Sequence, residues 1–297
     1  MTAAMVLSAG FGTRLRPFTD ELAKPLMPVG DRPMLAHVID ALRRGDVRDV
    51  VVNTHHRAGD FDREIEALRA NVHVVHEPSI LGTAGGVANA ATALGDGDVV
   101  VWNGDILAPD LDVAALFGAL RAVGDVIWVV APRRVGEGTV GLDSAGRVVR
   151  LRGEMFGAEV SGGDFLGIQA LGPAFRATLP REGCLVADVA LPRLRRGESI
   201  ACLAFTGAWQ DVGTPAALLR ANLAWLERNG LPFYAAESAR VAPAVRLAGS
   251  VVGAGAVVRG EGELRACVVL PRGELEAPAE RTIAGSRAAI AIATTAG

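Results

Sequence analysis

Ala3-Ala4-Met5-Val6-Leu7-Ser8-Ala9-Gly10-Phe11-Gly12-Thr13-Arg14-Leu15-Arg16-Pro17 decides the reading of the fold. Its first residues form a short apolar run of the kind that makes a buried strand, and Gly10 and Gly12 end it in a turn. The texture then recurs. Apolar runs at 49–53, 73–76, 99–102 and 126–131 are bounded by turn residues, while residues 33–44, 58–70, 85–94 and 113–123 place apolar side chains three and four apart. That spacing buries one helical stripe against a sheet. Strands separated by helices predict an α/β fold with a doubly wound, mostly parallel sheet, whose ligand sits at the carboxyl ends of the strands. Segments 8–12 and 103–105 fall at such ends.

From about residue 140 the pattern changes to short strands and turns, including 148–152 and 165–171, before a helix at 215–227. We read this as an excursion of the same domain, which extends over residues 1–237. Residues 238–297 have another texture. Val245, Val251, Val257, Val269 and Leu275 fall on a six-residue register, with Leu264 one place out of step, and Gly249, Gly255 and Gly273 hold a later place in it. Each rung can turn its aliphatic residue inward and its small residue onto a corner, which predicts a short hexapeptide, left-handed β-helix-like tail. The bland alternative is a small sheet with glycine turns.

Half of the 297 residues are hydrophobic and 21% are charged, enough to bury a large core. A net charge of −3 offers no bulk attraction for nucleic acid or an anionic membrane, so neither is expected as a partner. Cys184, Cys202 and Cys267 are widely spaced and odd in number, which suits core residues better than a disulfide framework or a zinc site. The start of the chain lacks a basic signal-peptide region, and no apolar run approaches the roughly 20 residues of a membrane span. A soluble, cytoplasmic protein is expected.

A glycine-rich loop after a strand lets backbone N–H groups approach phosphate oxygens closely. A dinucleotide-type GxGxxG would need glycine where Leu15 stands, and a P-loop needs Gly-Lys-Ser/Thr, so the loop is neither. Taken alone it is a tight strand-to-helix turn. Arg14, with its fork of donors, and Lys24, a compact movable charge, change that reading to a phosphate cradle.

Together with Lys24-Pro25-Leu26-Met27-Pro28-Val29, these residues resemble the sugar-1-phosphate nucleotidylyltransferases. That family's signature runs Gly-x-Gly-Thr-Arg-Leu-x-Pro and then Pro-Lys-Pro-Leu-x-Pro-Val, and Ala23 stands here for the proline before the lysine. Three later segments resemble the same family in the same order: Glu77-Pro78-Ser79-Ile80-Leu81-Gly82-Thr83-Ala84-Gly85-Gly86, Asn103-Gly104-Asp105, and Trp209-Gln210-Asp211-Val212-Gly213-Thr214-Pro215.

The resemblance implies a Rossmann-like nucleotidyltransferase core that joins a nucleoside triphosphate to a sugar 1-phosphate and releases pyrophosphate. It implies nucleotide binding by Ser8, Ala9, Gly10, Gly12, Thr13 and Arg14 and by Leu81, Gly82, Thr83, Ala84 and Gly85. It further implies Mg²⁺ held by Asp105 and Asp211, with Arg14, Lys24 and Asp105 as catalytic residues. Lys24, Asn103, Arg152 and Gly167 are the implied sugar-phosphate contacts; Arg152 stands in for a mid-chain lysine that this sequence lacks.

The form of residues 81–85 looks most like mannose-1-phosphate guanylyltransferases, which would pair GTP with mannose 1-phosphate, and N-acetylmuramate-1-phosphate uridylyltransferases. Two rivals remain. A catalytically silent sugar-nucleotide-binding regulatory subunit should have lost a phosphate or metal residue, and an acyltransferase tail should carry a histidine as general base, which residues 238–297 do not. Assembly into a homo-oligomer through the tail is a further expectation.

Overall fold

The computed structural model describes residues 2–67 and 72–293. The chain packs into two compact units, one of Met1–Gly10 with Val38–Trp209 and one of Phe11–His37 with Gln210–Gly297. This division follows packing rather than chain order: residues 11–37 group with the end of the chain.

The first unit is built on parallel strands in the order Asp98–Asn103, Thr2–Leu7, Asp49–Thr54, Val72–His76. Ala4, Met5 and Val6 are fully buried, as are Val99 to Trp102, which accounts for their continuous apolar runs. Ser161–Leu171 extends the sheet, pairing antiparallel with Asp98–Asn103 along residues 168–171, with Val126–Arg133 along 164–171 and with Val140–Leu142 along 161–163. Ala201–Ala204 then pairs parallel to Val126–Arg133.

Helices connect the strands. Val113–Val123 starts and stops where its apolar spacing predicts: Asp112 caps it by accepting the Ala115 N–H at 2.9 Å, and Gly124 ends it at φ 85°. Met34–Arg44 buries Met34, Leu35, Val38, Ile39 and Leu42 on one stripe. The helix expected over 58–70 runs Ala58–Ala67, with residues 68–70 outside the described residues. The helix expected over 85–94 begins earlier and is broken, as Gly82–Asn89 and Ala91–Leu94.

The second unit carries the tail. Tyr234 pairs in parallel with Val251 and Val251 with Val268, returns of seventeen residues, and Val268 then pairs with Ile283 after fifteen. The buried register is Val252, Val258 and Leu264, each six residues apart, closed by Cys267, Val269 and Ala284. Leu264 is therefore in step. Of the valines and leucine expected to point inward, Val251 and Val269 are buried and Val245 and Leu275 are half-buried against the core, while Val257 is half-buried and gives its place to Val258. Only Cys267 of the three cysteines is fully buried; Cys184 and Cys202 are half-buried and all three are free thiols. Among the described residues no helix is long and apolar enough to cross a membrane.

Candidate functional site

In the first unit the site begins where strand Thr2–Leu7 ends. The buried Ser8 donates its N–H to Asn53 Oδ1 at 2.7 Å, and Asn53 Nδ2 donates to Glu77 Oε1 at 2.7 Å. Glu77 Oε2 accepts the Leu81 N–H at 3.1 Å. A fully buried carboxylate thus joins the start of the glycine loop to the start of residues 81–85, with His55 Nδ1 on the Glu77 carbonyl oxygen at 2.8 Å. His55 serves a structural role here. Nothing local in the sequence marks Asn53 and Glu77 as partners, because the parallel pairing of Asp49–Thr54 with Val72–His76 is what brings them together.

Residues 81–85 are in turn lined by residues 181–185. Ala84 N–H donates to Gly183 O, Gly183 N–H to Leu81 O, and Leu185 N–H to Thr83 Oγ1, all at 2.8 Å. Gly82, at φ 77°, lies against Gly183 O, and a β-carbon on Gly85 would stand 2.6 Å from Arg181 O. The small residues there make room for backbone of the same unit. Gly10 is different: a β-carbon on it would meet nothing within 4 Å.

Asp105 sits in a turn held from both sides. Gly104 N–H donates to Leu7 O at 2.9 Å, and the buried Trp102 indole N–H donates to Ile106 O at 2.9 Å. Asn103 faces Gly167, whose φ of 72° and missing side chain leave space for the Asn103 amide. These two expected sugar-phosphate residues are brought together. Arg152 lies at φ 52° in the two-residue turn between strands Val148–Leu151 and Glu154–Met155. Strand Val148–Leu151 lies two places from Ser161–Leu171, on the order of 10 Å across the sheet.

The second unit holds the cations. Gly12, at φ 63°, is followed by a single 3₁₀ turn, Thr13–Leu15. A β-carbon on Gly12 would stand 2.8 Å from Thr19 Cγ2 and 3.0 Å from Lys24 Cβ, and Thr19 Oγ1 donates to Gly12 O at 3.1 Å. Glycine is required there by both φ and space. Lys24 begins the next 3₁₀ turn, Lys24–Leu26, preceded by the buried Ala23. One lysine occurs among the thirty Lys and Arg residues of the chain, a sequence signal for Lys24 that the motif reading passed over.

Arg14 reaches across to strand Gln210–Asp211 and the residues after it. A β-carbon on Gly213 would stand 2.7 Å from Arg14 Nη2 and 2.9 Å from Asp211 Oδ1, so the guanidinium and the carboxylate flank one point. Asp211 is not the helix cap: Thr214 Oγ1 accepts the Ala217 N–H at 3.2 Å at the start of Pro215–Arg228.

A family profile described as nucleotidyl transferase matches residues 3–152, which include the glycine loop, Lys24, residues 81–85 and Asp105. The chain belongs to the nucleotidyl transferase family. This nucleotidyl transferase is 32% identical over 239 residues to the N-acetylmuramate alpha-1-phosphate uridylyltransferase of Neisseria meningitidis, covering 74% of this chain and 96% of that one. It is 35% identical over 122 residues to the mannose-1-phosphate guanylyltransferase of Mycobacterium tuberculosis, covering 40% of this chain and 34% of that one. With the probable mannose-1-phosphate guanylyltransferase 2 of Arabidopsis thaliana it shares 28% over 228 residues, covering 71% and 62%. The chain thus spans less than two thirds of the length of these two guanylyltransferases.

Among solved structures, HddC from Yersinia pseudotuberculosis complexed with GMP-PN superposes with a TM-score of 0.64 at 19% identity, over 76% of this nucleotidyl transferase and all of that chain. A putative glucose-1-phosphate thymidylyltransferase from Bacillus anthracis gives a TM-score of 0.63 at 21% identity, over 75% and 95%. These likenesses concern the fold, a sheet with a parallel core flanked by helices.

Proposed function

We propose that this chain is a sugar-1-phosphate nucleotidylyltransferase, transferring a nucleoside monophosphate from a triphosphate to a sugar 1-phosphate with release of pyrophosphate. The observation that carries the reading is the Arg14 guanidinium beside the Asp211 carboxylate at Gly213: a phosphate-binding cation next to a hard anion that the helix cap leaves unused. Names of relatives support the same class, since the Neisseria and Mycobacterium proteins are named as transferases acting on sugar 1-phosphates.

The sugar phosphate's second pKa lies near 6, so it is already mostly a dianion at neutral pH and needs no protein base. Catalysis is then positioning and charge neutralisation. A sugar-phosphate oxygen attacks the α-phosphorus in line and pyrophosphate departs opposite. Arg14 and the amides of Gly10 and Gly12 offset charge on the departing phosphates, and Lys24 meets the α-phosphate or the sugar phosphate. Ser8, Ala9 and Thr13 complete the glycine loop. Residues 81–85 take the nucleobase, and Asn103 with Gly167 takes the sugar phosphate.

Asp105 and Asp211 are hard oxygen donors and fit a divalent ion, for which we propose Mg²⁺. Held there, such an ion would neutralise the charge of the phosphates being brought together. Among the described residues no group of three or more His, Cys, Asp and Glu side chains gathers as a metal cage; the proposal asks for two carboxylates.

For the substrates we propose GTP with mannose 1-phosphate. UTP with N-acetylmuramate 1-phosphate is the second reading, favoured by the uridylyltransferase that the chain covers almost entirely. Pyrophosphate release, measured for GTP, UTP, ATP, CTP and dTTP against several sugar 1-phosphates, with Mg²⁺ and with chelator, tests both. Turnover with no pair at all overturns the enzyme reading.

A further inference from the structure

The segment that bears Arg14 and Lys24 is gripped by residues from the far end of the chain. Within the second unit, the Glu21 carboxylate is wrapped by the turn at residues 285–287: Oε2 accepts the Ser286 N–H at 3.0 Å and the Ser286 hydroxyl at 2.7 Å, and Oε1 accepts the Arg287 N–H at 3.1 Å. Gly285 lets this turn seat closely, since a β-carbon there would stand 3.2 Å from Glu21 Oε1 and 3.3 Å from Phe18 Cδ1. Phe18 is fully buried. A second grip lies at Gly30, which donates its N–H to Asn222 Oδ1 at 2.8 Å and lies flat against the Trp225 ring. Asn222 Nδ2 donates back to Pro28 O at 3.2 Å.

We propose that Glu21 and the turn at residues 285–287 form a positioning clamp, through which the last coil of the tail sets the place of Gly12 and Lys24. The path is short and made of named contacts. Glu21 N–H donates to Phe18 O at 3.0 Å, so that Glu21 closes the 3₁₀ turn Phe18–Asp20. Inside that turn the fully buried Thr19 holds Gly12 by its hydroxyl and packs its methyl against it, and Lys24 Cβ closes the other side of Gly12. A rigid 3₁₀ turn thus links the carboxylate at one end to the cradle at the other. A carboxylate that accepts three hydrogen bonds is a strong anchor, because each is charge-assisted and together they fix its orientation. Glu21 and Ser286 are positioning residues: neither is assigned a substrate contact.

This inference rests on the proposed function for its kinetic readout, and the one lysine supplies a readout that does not. Full-length wild type, Glu21→Ala, Gly285→Ala and Ser286→Ala are treated with an amine-acylating reagent, and Lys24 acylation is timed by mass spectrometry with and without GTP or UTP. The clamp predicts that Glu21→Ala and Gly285→Ala change the Lys24 acylation rate about threefold or more and lose nucleotide protection. Ser286→Ala, which keeps the two backbone hydrogen bonds, should show a smaller change of the same sign.

In turnover, the variants should raise KM for the triphosphate or lower kcat by about tenfold, with KM for the sugar phosphate little changed. Glu21→Ala combined with Ser286→Ala should be no worse than Glu21→Ala alone. If folded Gly285→Ala and Ser286→Ala proteins keep wild-type Lys24 acylation and protection while only their melting temperature falls, the turn is merely structural and the clamp is wrong. Absence of turnover in wild type sinks the enzyme reading and leaves the acylation result to judge the clamp.

Discussion

A β-carbon on Gly213 would stand 2.7 Å from Arg14 Nη2, so that any side chain there would strike the guanidinium. The atom struck is the far end of a flexible side chain, so Gly213→Ala should fold and move Arg14. Because the interaction assigned to Arg14 strengthens as charge builds on the departing pyrophosphate, turnover should fall by about tenfold or more, the rate equivalent of roughly 1.4 kcal/mol. Arg14→Lys keeps the charge but loses the planar fork and should do the same. Calorimetric nucleotide affinity, measured on the same preparations, should drop less than turnover; an equal drop makes Arg14 a binding residue only.

Thr214 caps helix Pro215–Arg228, which leaves Asp211 for the metal role proposed above. Thr214→Ala removes the helix cap and should lower stability by about 0.5–2 kcal/mol with turnover retained. Asp211→Asn should have the opposite profile, as should Asp105→Asn, with most turnover lost and melting nearly unchanged. Paired calorimetry and kinetics read both axes, and an Asp211→Asn protein that works normally at saturating Mg²⁺ removes Asp211 from the metal.

Glu77 is buried and holds two donors from opposite directions, Asn53 Nδ2 and Leu81 N–H. Glu77→Gln keeps the shape but turns one acceptor into a donor facing a donor. Urea unfolding should show a loss of roughly 1–3 kcal/mol, the usual cost of a buried group left unsatisfied. A stability within error of wild type would falsify the relay from Ser8 to Leu81.

The Cys202 thiol is pushed up to about 12, by burial first and by the Asp143 charge second. Its folded value lies above its unfolded one, so its contribution to stability is complete below the unfolded pKa and is lost as pH rises through the folded one. At pH 8 a thiol-specific reagent should therefore label Cys202 only on unfolding. Peptide mapping after brief labelling of native protein checks this, and early modification of Cys202 contradicts it.

Burial raises the Glu21 carboxyl, but the hydrogen bonds from Ser286 and Arg287, with the Arg287 charge, outweigh it and hold the group below the usual carboxylate range. A depressed pKa gives stability that is present above the unfolded value and lost as pH falls through the folded one. Glu21→Gln should thus narrow the stability difference between pH 6 and acid relative to wild type. Thermal melts across that range measure it.

Much of the first unit was legible because each of its elements advertises itself locally. Helix Val113–Val123 has an aspartate before it, a glycine after it and an apolar stripe between, and all three signals agree. Asn103 and Gly167 were named separately, and only the register that sets Ile168 opposite Trp102 brings them face to face. Gly82 and Gly85 are implied nucleotide contacts in the sequence, but that residues 181–183 pack against them, about a hundred positions away, is visible only in the fold. Six-residue spacing revealed the coils of the tail, but where two valines are adjacent, as at 251 and 252 or 257 and 258, both satisfy the pattern and it could not choose the inward one. No local pattern could announce Glu21 and Ser286, since what joins them is three-dimensional.

The contact between Glu21 and Ser286 spans 265 positions of sequence. A ribosome adding about 5–20 residues per second therefore releases the segment proposed to bind phosphate roughly ten seconds to a minute before the turn that grips it exists. Through that interval the parallel strands from residue 2 to 103 can already pair, while residues 11–37 wait for partners not yet made. The cradle is assembled last although it is encoded first, so a nascent chain can hold a finished sheet without yet being able to hold a triphosphate.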